Sequence, residues 1–310
     1  MRGALAPFFQ KRKGGSMFKK RSLSAKQNAA GWAFLTPAVL LIVIMNFYPM
    51  FKALLLSFQT GKGANLQFAG LYNYTRMFQD RVFMQSMFNC FFYLIIQVPI
   101  MLILALILAS ILNRKDLRFK GLFRTAIFLP CATALVSYAT IFRSLFSLDG
   151  LVNTVLMKLH IINSAYDFLG KPMSARLVII LALIWRWTGY NMVFYLAALQ
   201  NIDYSVYEAA KIDGASGWDS FWKITVPLLK PTILLTLIMS TNGTLQLFDE
   251  SVNLTSGGPA NMSMTMSHYI YDTSFRFVPN FGYSAAMSFV ILILVFILAI
   301  LQMKVGDKRD

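Results

Sequence analysis

Apolar residues along the chain gather into six long blocks, 32–58, 84–112, 122–148, 175–199, 231–248 and 281–303, with polar and charged segments between them. The first runs from Trp32 to Phe58 and is interrupted only by Asn46, Lys52 and a few small polar residues. A helix needs roughly 20 apolar residues to cross the hydrocarbon core of a bilayer, and blocks of this length meet that need. Backbone amides cannot go unpaired in lipid, and the ten-residue alternation of barrel strands is absent. The pattern therefore predicts an all-α polytopic membrane protein with six transmembrane helices.

Composition agrees: 57% of residues are hydrophobic and only 14% charged, against about a quarter charged in soluble domains. The net charge of +16 raises the question of nucleic acid, and its distribution answers it. With the N-terminus inside, segments 1–30, 113–124, 201–230 and 304–310 hold 19 Lys and Arg, whereas 59–83, 148–173 and 250–280 hold 6. This asymmetry is the positive-inside rule, so both termini are expected in the cytoplasm and no nucleic-acid partner is implied. The basic stretch Arg2 to Lys26 leads into a block too long for a secretory signal and lacking a small-residue cleavage site, which predicts an uncleaved first helix. Met17, opening MFKKRS, would serve as a translation start and leave residues 1–16 dispensable.

Several kinds of chemistry lack their residues. Cys90 and Cys131 fall in separate apolar blocks and read as buried apolar side chains, and His160 and His268 are far apart, so neither a disulfide nor a metal site is expected. No phosphate loop of the G-x-x-x-x-G-K-[ST] type occurs; Gly170-Lys171-Pro172 reads as an outside turn before the fourth span. No nucleophile–His pair, paired carboxylates or HExxH is present, so the chain is not expected to be an enzyme.

The segment 201–230 departs from a plain bundle. Asp203, Tyr207, Ala209, Ala210 and Ile212 predict a short helix that Gly214 can end. Ser216 or Asp219 can cap a second one carrying Trp218, Phe221, Trp222 and Ile224, before Pro227 and Pro231 return the chain to the membrane. A face bearing Tyr207, Ala209, Ala210 and Trp218 suits a partner's apolar groove, with Glu208 at the rim. It would also suit a connector resting on lipid, with Trp218 and Trp222 as interfacial anchors.

The order Glu208-Ala209-Ala210, three residues, Gly214, nine residues, Ile224-Thr225-Val226-Pro227 resembles the EAA loop of binding-protein-dependent ABC import permeases. Val226 stands where that family usually has Leu. FLTPAVLL, FYPMFKALLLSF, FAGLYNYTRMFQD, GLFRTAIFLP, LTSGGP and FGYSAAMS extend the likeness over about residues 34–303, to the sugar-permease branch that includes the maltose permease subunits. The resemblance implies a multi-pass subunit of the bacterial inner membrane, with a transmembrane domain at 31–303 between cytoplasmic tails at 1–30 and 304–310. It further implies that Glu208, Ala209, Ala210, Gly214, Ile224 and Pro227 couple to the ATPase. The partners implied are a second homologous permease chain, preferably in a heterodimer, two cytoplasmic ATPase subunits and an extracytoplasmic solute-binding protein. ATP and Mg2+ would be used by the ATPase, and this chain would bind no cofactor of its own.

Polar residues at membrane depth face a pathway or a neighbouring helix. Trp187, Tyr190, Asn191 and Phe194 share one face of the fourth span, and Thr236, Ser240, Gly243, Thr244 and Leu247 share one face of the fifth. Aromatic rings opposite hydroxyls suit a sugar, so Trp187, Tyr190, Asn191, Ser240, Gly243 and Thr244 are the candidate substrate contacts. Gly, Ser and Thr also serve simple helix packing. Arg186 and Arg143 would pair with carboxylates such as Asp249 or Glu250, or snorkel. A permease for a polyol, glycerol phosphate or peptide is the alternative within the class, and an ion-coupled secondary transporter the alternative outside it.

Overall fold

The computed structural model describes residues 17–306 apart from 63, 64 and 115. Residues 1–16, with the dispensability expected for them, and 307–310 lie outside it. The chain divides into two compact units at residues 53 and 54. The first holds α1 (Met17–Ile42), a π-helical turn at Val43–Phe47 and the start of α2 (Tyr48–Ser57). Ala30–Ser57 is apolar and 28 residues long, about 42 Å of helix, which suffices to span.

In the second unit, a hairpin of β1 (Gln59–Lys62) and β2 (Asn65–Phe68) is followed by α3 (Tyr72–Gln79) and α4 (Arg81–Asn113). Asp80 starts α4, its carboxylate accepting from the N–H groups of Val82 (2.9 Å) and Phe83 (3.3 Å). The same carboxylate accepts from the hydroxyls of Tyr269 and Tyr283, both at 2.7 Å. Burial pushes its pKa up, but the two tyrosines and the two amides outweigh burial and hold the carboxyl below the ordinary aspartate range. A group depressed in the folded state stabilises above its unfolded pKa of about 3.9 and ceases to as pH falls through its folded value. Asp80→Asn is therefore expected to flatten the loss of thermal stability below about pH 4. A melting curve in detergent with unchanged acid sensitivity would contradict this role.

Next come α5 (Lys120–Ala132), α6 (Leu135–Leu145), α7 (Leu151–Lys158) and α8 (Pro172–Gln200), the last begun by Pro172 at its first position after the Gly170-Lys171 turn. Core side chains of α4, Met101, Ala105, Ala109 and Leu112, meet Met192, Tyr195, Leu196 and Leu199 of α8. Small residues let the helices close up. A Cβ added to Gly189 of α8 would lie 2.0 Å from the carbonyl oxygen of Ile127 in α5.

The apolar block 122–148 is not one straight helix, as its composition predicts, but the pair α5 and α6 bent by 95°. Pro130 removes a backbone donor near the end of α5, and Thr133 and Ala134 are extended. The break exposes carbonyls that lipid cannot satisfy. Buried Arg186 satisfies them, donating from Nη1 to the Thr133 oxygen (3.0 Å) and the Pro130 oxygen (3.4 Å), and from Nη2 to the Cys131 oxygen (3.3 Å). Its guanidinium also lies 4.6 Å from the centre of the Tyr138 ring. Arg186 thus spends its hydrogen bonds on backbone carbonyls, its charge acting on Glu250 only from a distance, and Arg143 is exposed at the end of α6.

The remaining elements are α9 (Ser205–Ile212), α10 (Gly217–Ser220), a π-helical turn at Phe221–Thr225, α11 (Val226–Leu228), α12 (Lys230–Leu245), α13 (Asp249–Asn253), α14 (Met266–Tyr271), a third π-helical turn at Asp272–Arg276 and α15 (Phe281–Gly306). Among the described residues, four helices, Ala30–Ser57, α4, α8 and α15, are each long and apolar enough to span, and there are up to six spans if each of the two bent pairs counts as one. Helix α12 ends at Leu245, short of the expected 248. Its 16 residues reach about 24 Å, less than the roughly 30 Å hydrocarbon thickness. Irregular backbone at that depth is tolerated only inside protein or along a cavity, and residues 246–248 meet this condition. Cys90 is buried and Cys131 half-buried, both as free thiols.

Candidate coupling loop and translocation cavity

Two places in the second unit gather the residues that the sequence singles out. The first is the helix pair α9 and α10–α11. Gly214 sits at φ +81° just beyond α9, with its N–H donating to Lys211 O (3.2 Å) and that of Ala215 to Ala210 O (2.9 Å). This is a Schellman ending, which suits glycine because a Cβ is strained at positive φ. Ser216 caps the second helix, accepting from the Asp219 N–H (3.1 Å). Asp219 is the third residue after that cap, and the Lys223 ammonium 2.6 Å away and the Ser216 hydroxyl hold its carboxyl down at about 2.

The exposed face differs from the expected one. Ala210 is buried, and Tyr207 is half-buried with its hydroxyl 3.1 Å from that of Thr225, because α9 folds back on the second helix. What faces outward is Glu208, Ala209, Ile212 (85% exposed), Trp218 (71%) and Trp222. Ile224 is half-buried, and Pro227 is exposed where the chain turns by 69° into α12.

The second place is a cavity of about 360 Å³ among α4, α8 and α12, within the range of small-molecule sites. Trp187, Tyr190, Asn191, Ser240, Gly243 and Thr244 all line it. Trp187 and Tyr190 meet edge to face at 5.6 Å, and Phe194 backs Tyr190 at 5.1 Å. Asn191 donates to Trp187 O (3.0 Å), which fixes its amide. Helix packing does not account for Gly243, since an added Cβ there would meet nothing within 4 Å. Packing does account for Thr236, which is buried against the Tyr195 hydroxyl at 2.7 Å and does not line the cavity.

Sequence reasoning missed Gln97, Gln246, Phe248, Asp249 and Glu250 as cavity residues. Gln97 accepts from the Thr244 hydroxyl at 3.1 Å, joining α4 to α12. Its signal was available, as an amide in the middle of an apolar block. Glu250 accepts from the Tyr138 hydroxyl. Residues 262–264, just after the LTSGGP segment, brace this wall. Ser263 O accepts from Tyr93 and from Ser251 (both 3.2 Å), Met264 O from Asn89 (2.8 Å) and Met262 O from Arg176 (2.7 Å).

A helical unit with up to six apolar spans, a cavity lined by aromatic, amide and hydroxyl side chains and an exposed helix pair leading into α12 has the form of a membrane permease. The chain belongs to the family described as binding-protein-dependent transport system inner membrane components, whose pattern matches residues 79–308. It is 50% identical over 292 residues to the lactose transport system permease protein LacF of Rhizobium radiobacter, covering 94% of this chain and 98% of that one. It is 31% identical to the arabinooligosaccharides transport system permease protein AraP of Halalkalibacterium halodurans, covering 91% of each. Its fold matches a chain of the bacterial alginate ABC transporter, crystallised in complex with an alginate pentasaccharide-bound periplasmic protein. That match has a TM-score of 0.81 at 21% identity and covers 92% of this chain and 96% of the other.

Proposed function

We propose that this chain is the membrane-spanning subunit of an ATP-driven importer for a sugar or short oligosaccharide, with the cavity as the passage and the α9–α11 helix pair as its drive. The observation that carries the reading is the cavity lining, in which Trp187 and Tyr190 offer rings for a sugar face beside the amide of Asn191 and the hydroxyls of Ser240 and Thr244. The names of the lactose and arabinooligosaccharide relatives support the substrate class. Residues 31–303 form the transmembrane domain of the subunit, flanked by cytoplasmic tails.

Glu208, Ala209, Ala210, Gly214, Ile224 and Pro227 build the coupling element. Exposed Glu208, Ala209, Ile212 and Trp218 make the contact with an ATPase subunit, Ala210 and Gly214 set its shape, and Pro227 passes its motion into α12. Two such ATPases would use ATP and Mg2+, leaving this chain without a cofactor. A solute-binding protein would deliver the sugar from outside, as the periplasmic protein bound to the alginate transporter suggests. A second, homologous permease chain would complete the passage as a heterodimer. It would cover the polar side chains of Asn242, Gln246, Ser267 and Ser288, which line a groove on the α12 and α15 side and which lipid would penalise.

In reconstituted vesicles, Trp187→Ala is expected to lower lactose uptake by about tenfold, the worth of one stacking contact of about 1.4 kcal/mol, with an unchanged amount of assembled complex. Loss of assembly, or unaltered uptake, would show Trp187 to be packing alone.

A further inference from the structure

We propose that Asp249 and Glu250 set the charge specificity of the cavity, so that it accepts uncharged saccharides and rejects those bearing a carboxylate. The inference rests on the sugar reading above and names the substrate class more narrowly. The lining contains two carboxyl side chains and no basic one. Arg186, next in sequence to Trp187, does not line the cavity: its guanidinium is directed to the carbonyls of Pro130, Cys131 and Thr133 and to the Tyr138 ring, and its charge reaches Glu250 only as a minor influence beside burial.

The aromatic rings cannot discriminate, since a uronic acid stacks as well as a neutral sugar. The carboxyl groups can. Glu250 is 3% exposed and its Oε1 accepts the Tyr138 hydroxyl; Asp249 begins α13 beside it. Sugar hydroxyls can donate to such oxygens in charge-assisted hydrogen bonds. A carboxylate on the sugar has no proton to donate, would lose its water and would meet like charge with no basic side chain in the lining to pair with it. Burial drives the Glu250 carboxyl above the ordinary glutamate range, with adjacent Asp249 adding to the shift and the Tyr138 hydroxyl and the more distant Arg186 charge opposing it without reversing it. The same surroundings penalise any further negative charge brought in as cargo.

Position strengthens the assignment. Asp249 and Glu250 follow the end of α12, and Ser251, which bonds His268 Nδ1 at 2.9 Å and donates to Ser263 O at 3.2 Å, fixes α13 to the outside segment. The two carboxyls are therefore held on a braced wall, where a cargo from outside meets them.

The test is equilibrium binding to the assembled complex in nanodiscs, with the solute-binding protein left out so that its own selectivity does not enter. Lactose and maltose are compared with lactobionate and maltobionate, their carboxylate-bearing counterparts, by tryptophan quenching. The wild type is expected to bind each neutral sugar at least about tenfold more tightly than its acid. The double variant Asp249→Asn with Glu250→Gln keeps an acceptor for Tyr138 and is expected to narrow that ratio to about twofold. Equal binding of acid and neutral sugars by the wild type overturns the proposal, as does a double variant that discriminates as strongly as before. Failure of both neutral sugars to bind either protein would remove the sugar reading and this proposal with it.

Discussion

Glu208→Lys is expected to leave the chain folded and inserted while lowering ATP-driven uptake by at least about tenfold and weakening co-purification with the ATPase. Glu208 is exposed on α9, so its replacement disturbs no buried partner. It stands on the face that carries Ile212 and, across the turn, Trp218, both too exposed and too apolar to face water in the working complex. Reversing a charge at the rim of such a contact turns attraction into repulsion. Ile212→Asp is expected to act in the same way by placing a charge in the contact. Gly214→Leu should act through shape: the space around Gly214 is open, so the cost is confined to its positive φ, on the order of 1–2 kcal/mol. That is enough to undo the Schellman ending and turn α9 away from the contact proposed for it. If all three variants hold the ATPase and move substrate as the wild type does, the helix pair is not the coupling element.

The sequence states its helices plainly because lipid forces a simple rule on it. Stripes such as Cys90, Tyr93, Gln97 and Met101 recur at helical spacing and become the buried face of α4. The same rule conceals breaks. Residues 122–148 are apolar throughout, and only Pro130 marks the 95° bend. Once the chain bends, carbonyls appear that no pattern announces, and a basic residue 53 positions beyond Thr133 is recruited to them.

The cavity follows a similar division. Its Trp187 and Ser240 faces are legible because each lies on one continuous helix. Gln97 comes from another helix, and Asp249 and Glu250 follow the point where α12 stops, three residues before the expected 248. In the coupling loop, spacing marks the turn and the cap, yet it cannot say which side of α9 meets α10. The Tyr207–Thr225 pairing decides that, and it buries Ala210 where an exposed position was expected.

Gly189 and Gly243, on neighbouring helices, are expected to give opposite results when each is changed to alanine. At Gly189 the new methyl would lie 2.0 Å from Ile127 O, 2.7 Å from Ile127 C and 3.0 Å from Phe128 Cα, all backbone atoms that no rotamer change can move. Overpacking a core costs about 1–3 kcal/mol even where side chains can yield, and here α5 itself must retreat. That movement would draw the carbonyls of Pro130, Cys131 and Thr133 away from Arg186, leaving an unpaired guanidinium in the membrane. Gly189→Ala should therefore lower the yield of monodisperse protein severely and shift its melting in detergent by several degrees, with uptake lost in proportion. Gly243→Ala meets nothing within 4 Å, so assembly and melting should match the wild type. Its methyl would instead project into the space beside Ser240 and Thr244, narrowing the passage and reducing uptake of a disaccharide more than that of a monosaccharide. A Gly189→Ala protein as stable as the wild type would show that α5 and α8 do not pack as described, and a Gly243→Ala protein that fails to assemble would place Gly243 in a helix contact and not at the cavity.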